Sequence, residues 1–340
     1  MDKVLTMPRS TIQDVAKLAG VSTATVSHVI NGTRFVSNQT KQVVFDAIEA
    51  LSYVPDLVAR NLKTGKKNTI GFIIPTFANS YFFNIIEAVE SIVRSAGYSL
   101  LISNSKENPK KEIQSFRYLS AGLVDGIIAI STLLDFQDIA DVVPKNLPIL
   151  LIDRELDNCR CDTLTVSTYD SIYEITVSFL RSGLHQKIGY LASDDDLKTT
   201  TERLRGFQDA LAAEHWAPKN ACILRADSTA NAQDAGAAYQ QVANMLENGV
   251  TAILVSTNVM TQEALRCLSE RNLSPVKDVE IVGLFNPPYV YPCPGLRWIN
   301  MPGRTVGTLA GKAILNRLNN PDAPRFHQVL KSNIVVNQTL

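Results

Sequence analysis

Beyond residue 68 the chain repeats one alternation, a short apolar run followed by a longer amphipathic stretch. The runs Ile70–Ile74, Leu100–Ile102, Gly126–Ile130, Ile149–Ile152, Ile188–Leu191, Ala252–Val255 and Ile281–Gly283 have the length and composition of buried strands. Between them, Tyr81–Ala96, Tyr169–Ser182, Glu202–Ala213, Ala232–Leu246 and Met260–Arg271 space their apolar residues as helices do. Strand then helix, many times over, predicts parallel sheets covered on both faces by helices, an α/β architecture. The 272 residues from 69 onward suffice for two such sheets. An apolar share of 45% against 19% charged residues supplies their cores and excludes a disordered or fibrous chain.

The first 68 residues differ in kind. They carry nine Lys or Arg against five Asp or Glu, about +4, so the balanced whole-chain charge of zero hides a basic head on an acidic body. A basic head is what a segment facing a polyanion needs. Thr64–Asn68, polar and glycine-containing, reads as the linker between the two.

Within the head, Thr11 and Asp14 are spaced as a capping box, and a helix is expected over Ile12–Ala19. Gly20 can take the left-handed turn that ends it, and Ser22 is a second N-cap three residues before Thr25. The pattern is helix, three-residue turn, helix. Val15, Leu18, Ala19, Val21, Val26, Val29 and Ile30 are expected inside, closed by Val44, Ile48 and Leu51 of a third helix over Asn38–Ser52. What the second helix leaves outside is small or polar: Thr23, Ala24, Thr25, Ser27 and His28, with no acidic side chain to repel phosphate. Such a face can approach a major groove closely, each good base contact discriminating by about 1–3 kcal/mol.

The stretch from Thr11 to Asn31, continuing through Gly32, Thr33, Arg34, Phe35 and Val36, closely resembles the DNA-binding domain of the LacI/GalR family of bacterial repressors, most of all its purine-repressor branch, from which Ala24 departs. The resemblance implies that Thr11, Ser22, Thr23, Ala24, Thr25, Ser27, His28, Asn31 and Arg34 meet double-stranded operator DNA. Residues 55–63, Pro55 to Lys63, look like the family's hinge helix. That implies Leu62 as a wedge into the minor groove with Lys63 beside it, the unstacking costing about a few kcal/mol per step. A segment this short is expected to order only against partner and DNA.

The body carries the same resemblance, in Thr69–Pro75, Val124–Ile128, Leu151–Arg154 and Arg203–Phe207. It implies a periplasmic-binding-protein-like body of two doubly wound subdomains, a small-molecule effector in the cleft, and crossovers near residues 159–162 and 290–294. Domains are expected at 1–54 (helix-turn-helix), 55–68 (hinge and linker) and 69–340 (effector binding and dimerisation). Position by position, Asn79, Tyr81, Phe82, Asp153, Arg154, Arg203, Asn258 and Phe285 fall at the effector site. Several departures blur the ligand. Phe285 replaces a sugar-binding aspartate, Leu197 the purine-repressor branch's base-contacting arginine, and Ser167 and Thr168 the Asp-Asn that commonly follows Val166. With Trp298 and Met301 these imply a more apolar cleft, whose effector, a sugar, sugar derivative or nucleoside-like molecule, is unlike the family's usual sugars, or whose response has been lost; a cytoplasmic small-molecule binding protein is the alternative reading.

Gly-x-Gly-x-x-Gly, phosphate-loop, Gly-x-Ser-x-Gly and His-Glu-x-x-His motifs are all lacking, so neither an enzyme nor a cofactor is expected. Asp194–Asp196 reads as a solvated loop, not a metal site. Five cysteines are expected to be reduced thiols. With no run long enough to span a bilayer and no secretory signal in Met1–Arg9, a cytoplasmic protein with no membrane partner is expected. The resemblance, with no heptad extension before Leu340, implies a two-fold homodimer on a palindrome.

Overall fold

The computed structural model describes residues 10–54, 65–227, 236–285 and 293–338. The chain divides into two compact units, Met1–Lys66 and Lys67–Leu340.

In the first unit, α1 (Ile12–Ala19), α2 (Thr23–Asn31) and α3 (Asn38–Ala50) enclose Val15, Ala16, Ala19, Val26, Val29, Val44 and Ala47. The capping box forms in both directions: the Asp14 amide donates to the Thr11 hydroxyl at 3.3 Å and the Thr11 amide to the Asp14 carboxylate at 2.8 Å. Gly20 takes φ 65° and ends α1, and Ser22 caps α2 through the Thr25 amide at 3.1 Å. One expected core residue is not inside. Leu18 is 56% exposed, because α1 meets α2 and α3 along Val15, Ala16 and Ala19, and position 18 turns away from that stripe.

The second unit holds two six-stranded sheets. In the first, ordered β11-β5-β4-β3-β1-β2, every pairing is parallel: β1 (Thr69–Ile74), β2 (Ser99–Asn104), β3 (Gly126–Ala129), β4 (Ile149–Asp153), β5 (Asp162–Ser167) and β11 (His327–Lys331). In the second, ordered β12-β10-β9-β8-β6-β7, β6 (Ile188–Ser193), β7 (Ala221–Ala226), β8 (Ala252–Val255), β9 (Glu280–Leu284) and β10 (Arg297–Asn300) are parallel, and only β12 (Asn333–Val336) runs against its neighbour. Between the strands run α4 (Ser80–Ser95), α5 (Pro109–Ser120), α6 (Gln137–Ala140), α7 (Tyr169–Arg181), α8 (Lys198–Ala213), α9 (Ala237–Glu247), α10 (Asn258–Glu270) and α11 (Gly303–Asn319).

The expected crossovers need correcting. Residues 159–162 do not change sheets: β5 pairs with β4 from Leu150↔Asp162 to Asp153↔Thr165, so the chain leaves the first sheet only after Ser167, through α7. Of the second expected crossover, residues 290–292 lie outside the described residues, and β10 beyond it is still bonded to β9. The return runs through α11, and a further passage at Ser332 joins β11 to β12.

Helix α11 packs along α4, the helix that opens into the cleft. Gly303, Gly307 and Gly311 make the approach close: a Cβ on Gly307 would stand 2.4 Å from the Ile85 carbonyl oxygen. One apolar core runs under both sheets, from Phe72, Ile85 and Phe179 to Tyr190, Phe207 and Ile299.

Candidate functional site

Two places carry functional chemistry, one in each unit. In the first unit it is the outer face of α2. Ser22, Thr23 and Ala24 are exposed, Thr25, Ser27 and His28 half-buried, and Asn31 and Arg34 exposed beyond them. Their hydrogen bonds are short-range. The Ser22 and Thr25 hydroxyls lie 2.9 Å apart, His28 Nδ1 meets the Thr33 hydroxyl at 2.7 Å, and Asn31 Nδ2 donates to the Ser27 carbonyl at 2.8 Å. Thr11 belongs to the capping box at the foot of α1, and its hydrogen bonds hold the Asp14 carboxyl below its ordinary pKa. The arrangement is a row of hydroxyls, an amide and an imidazole on a rigid helix with no acid among them. Leu62 and Lys63 lie outside the described residues.

In the second unit it is a cleft of about 680 Å³, solvent-open mouth included, at the carboxyl ends of strands from both sheets. That is where ligands sit in doubly wound sheets. Asn79, Tyr81 and Phe82 come from the start of α4 after β1, Asp153 and Arg154 from the end of β4, Arg203 from α8 after β6, and Asn258 from the start of α10 after β8. Seven of the eight residues expected from sequence thus line one cavity. The eighth, Phe285, is buried outside it. Its neighbour Leu284 lines the cleft instead, since consecutive side chains at a strand end point to opposite faces. Leu197 and Met301 do line the cleft, whereas Trp298 does not.

The cleft is less apolar than the departures implied. Glu107, Asp153 and Asp195 face Arg154 and Arg203, three carboxylates against two guanidiniums. Sequence reading missed Glu107 and Asp195. Glu107 grips Arg154 with both oxygens, at 3.1 and 3.3 Å, and Arg154 also donates to the Ser131 carbonyl at 3.3 Å. Burial opposes the Arg154 charge, but Glu107, Asp153 and Asp195 together outweigh it and the guanidinium pKa is raised. Behind this pair, buried Glu112 accepts from the Ser131 hydroxyl and from the amide and hydroxyl of Thr132. Burial raises the Glu112 pKa against the pull of those donors and of Arg154.

Arg203, buried on α8, donates Nε to the Thr168 hydroxyl at 3.2 Å and Nη1 to the Ser256 carbonyl at 3.0 Å. Thr168 is one of the positions where the chain departs from the common family pattern, and here its hydroxyl orients the arginine. Asn258 Nδ2 reaches the Ser80 hydroxyl at 3.2 Å, tying α10 beside the second sheet to α4 beside the first. Asp195 is turned inward, accepting from the Leu197 amide and the Thr200 and Ser193 hydroxyls.

Two groups stand apart. Asp153 ends β4 in a three-residue turn, with φ 67° and the Arg154 amide donating back to the Ile152 carbonyl at 2.8 Å. A turn of this kind is strained for a residue with a side chain, and such strain gathers at functional sites. Asp153 Oδ1 and the Tyr81 hydroxyl, both buried, make no hydrogen bond of regular geometry. Burial drives the Tyr81 phenol well above its ordinary pKa, with the charge of Asp153 and the phenol's approach to that carboxylate adding to the effect and Arg203 opposing it. Together they present one acceptor and one hydroxyl, facing each other at the cleft wall, that a ligand can engage.

Known proteins resemble this chain over nearly its whole length. Residues 11–56 match the profile described as bacterial regulatory proteins, lacI family, and residues 177–340 that of a periplasmic binding protein-like domain. The HTH-type transcriptional repressor PurR of Photobacterium profundum is 31% identical over 336 residues, covering 97% of this chain and 98% of the relative. The repressor of the same name from Aliivibrio fischeri is 32% identical over 320 residues, covering 93% and 94%. Among solved structures, the lac repressor dimer bound to operator and the anti-inducer ONPF superposes with a TM-score of 0.80 at 28% identity, covering 98% of this chain and 99% of that one.

Proposed function

Since this chain belongs to the LacI family of bacterial regulatory proteins, we propose that it is a sequence-specific DNA-binding repressor, a homodimer on a palindromic operator, whose grip is set by a small molecule in the body's cleft. The observation that carries the reading is the outer face of α2, a solvent-facing row of small polar side chains behind two formed N-caps. In the major groove, Thr23, Thr25, Ser27, His28 and Asn31 meet base edges or phosphates and the Ala24 methyl meets a thymine methyl, while Arg34 and Thr11 hold the backbone. The working parts are residues 1–54 for the groove, 55–68 as hinge and linker with Leu62 wedged into the minor groove and Lys63 on its phosphates, and 69–340 for effector and dimerisation.

The dimer surface is drawn from exposed apolar groups of the first sheet's edge and of the segment beside it. Leu101 and Ile102 stand partly exposed on the edge strand β2, and Phe77, after β1, meets Phe83 of α4 with tilted rings 6.2 Å apart. The effector, taken by Arg203, Asn258, Asp153 and Tyr81, is neutral and rich in hydroxyl or amide groups, a sugar derivative or nucleoside. With three carboxylates to two guanidiniums, an anionic ligand would gain no net attraction. The protein works in the cytoplasm and does no catalysis. Among the described residues, no helix is long and apolar enough to cross a membrane.

Selection of duplexes from a random pool by the full-length protein tests this. Enrichment of a two-fold symmetric site is expected, with half-sites about one helical turn apart. A pool that stays random overturns it.

A further inference from the structure

Away from the cleft, the loop between β4 and β5 ends in the chain's one close cysteine pair, Cys159 and Cys161. Several contacts shape it. The Asp157 amide donates to the Leu134 carbonyl at 2.8 Å, Asn158 turns the chain with φ 53° while its side chain donates to Asp135 at 2.7 Å, and the backbone bends at Cys161. Residues two apart on an extended strand share a face but stand well apart along it. Here the bend brings the two sulfurs to 3.5 Å. Both thiols are half-buried and pack against the cluster of Phe136, Ile149 and Leu156, so they are screened from bulk water without being sealed.

We propose that Cys159 and Cys161 form a redox-active dithiol that hydrogen peroxide oxidises to an intramolecular disulfide, Cys159 being the attacking sulfur and Cys161 the resolving one. The roles follow from the asymmetry of the pair. A hydrogen bond from the Cys161 thiol lowers the Cys159 pKa to about 7 against the opposing effect of burial, with Arg325 helping and Glu155 hindering. Cys161 is driven the other way, by its bond to Cys159, by burial, and by the negative charges of Cys159 and Asp162. One sulfur therefore carries thiolate near neutral pH and the other keeps its proton, the division of labour of an attacking and a resolving thiol.

The chemistry balances. The Cys159 thiolate attacks one peroxide oxygen, the O–O bond breaks, and the departing hydroxide takes a proton to leave as water, giving Cys159 sulfenic acid. The Cys161 sulfur then attacks Cys159, the S–O bond breaks, and the thiol proton leaves with the hydroxide as a second water. Two thiols lose two electrons and peroxide gains them. Closing the sulfurs from 3.5 Å to a bond of about 2.05 Å asks for a shift of about 1.5 Å within a three-residue segment at the end of a loop.

Intact-mass and peptide mapping of the full chain after micromolar peroxide decide the matter. The expected result is a loss of about 2 Da and, when the oxidised chain is unfolded in guanidinium before alkylation, Cys159 and Cys161 protected from iodoacetamide until dithiothreitol is added, while Cys222, Cys293 and the buried Cys267 are alkylated. In Cys161→Ser, Cys159 should stop as a sulfenic acid that dimedone traps, and wild-type reaction should slow about tenfold for each pH unit below the Cys159 pKa. If another cysteine oxidises first, if the pair stays fully alkylatable, or if Cys159 passes straight to sulfinic acid in the wild-type chain, the proposal falls. The wild-type mass result holds whether or not the variant folds.

Discussion

The outer face of α2 and the cleft of the body are both polar sites, but their hydrogen bonds are built on different scales. On α2 every partner lies three to five residues away: Ser22 with Thr25, Ser27 with Asn31, His28 with Thr33. In the cleft, Arg154 reaches 47 residues back to Glu107, Arg203 reaches 53 residues on to Ser256, and Asn258 reaches 178 residues back to Ser80. A locally wired face keeps its shape whatever the rest of the molecule does, and so can present fixed groups to a groove. Two of the cleft's bonds, Asn258 to Ser80 and Arg203 to Thr168, join the side of the second sheet to that of the first; such bonds change when the sheets move, and so can register a ligand. The same contrast separates rigid recognition from conditional control, and each can be broken separately.

The largest effect is expected from Arg203→Ala. It strips donors from the Thr168 hydroxyl and the buried Ser256 carbonyl, costing the body about 1–3 kcal/mol, and should abolish ligand-induced thermal stabilisation while ligand-free DNA binding persists. An unchanged ligand response in a thermal-shift titration would remove Arg203 from the site. Next comes Gly307→Ala, whose Cβ would meet the Ile85 carbonyl at 2.4 Å. Overpacking of this kind costs about 1–3 kcal/mol. Calorimetry should show the body transition lowered and the head's unmoved, whereas a fall in both would mean the two units do not melt independently.

Ser22→Ala is the converse test on the local side. Loss of the cap on α2 should lower head stability by about 1 kcal/mol and weaken DNA binding, leaving ligand binding in the cleft untouched.

The smallest effects come from two carboxyls with opposite signs. Asp14 in the head has its pKa lowered by Thr11. Its contribution is therefore full above the ordinary value of 3.8 and is lost as pH falls through the depressed value. Glu112 in the body has its pKa raised by burial, so its contribution is full below the ordinary 4.5 and is lost as pH rises through the elevated value. Glu112→Gln should accordingly raise the body's Tm at neutral pH and leave the head's acid sensitivity alone. A body transition unchanged at every pH would contradict the sign assigned to Glu112.

How much of this the sequence discloses follows the same division. The capping box, the glycine stop and the Ser22 cap are spacings of three residues, readable without any tertiary knowledge, and the strand-helix alternation marked both sheets because inner strands such as β1, β3, β4, β6 and β8 are buried on both faces. Leu18 escaped because helical periodicity marks an apolar stripe without saying where the stripe ends. The crossovers were misplaced because β5 looks the same in sequence whichever sheet it joins, and only its register with β4 decides. In the cleft, seven positions carried over, but the Glu107–Arg154 clamp and the Thr168–Arg203 bond did not. Their partners lie far apart along the chain and follow no period. Phe285 lies one residue beyond the cleft-lining Leu284, which at a strand end is the whole difference between facing the cleft and facing the core.

The most direct test of the account joins its two halves. The dissociation constant of the full-length protein for its selected duplex is measured with and without the neutral sugar or nucleoside that most raises its melting temperature. The account expects a change of about 5- to 150-fold, in either direction, matched by an equal change in ligand affinity when the duplex is present. An operator affinity indifferent to a ligand that demonstrably binds would contradict it.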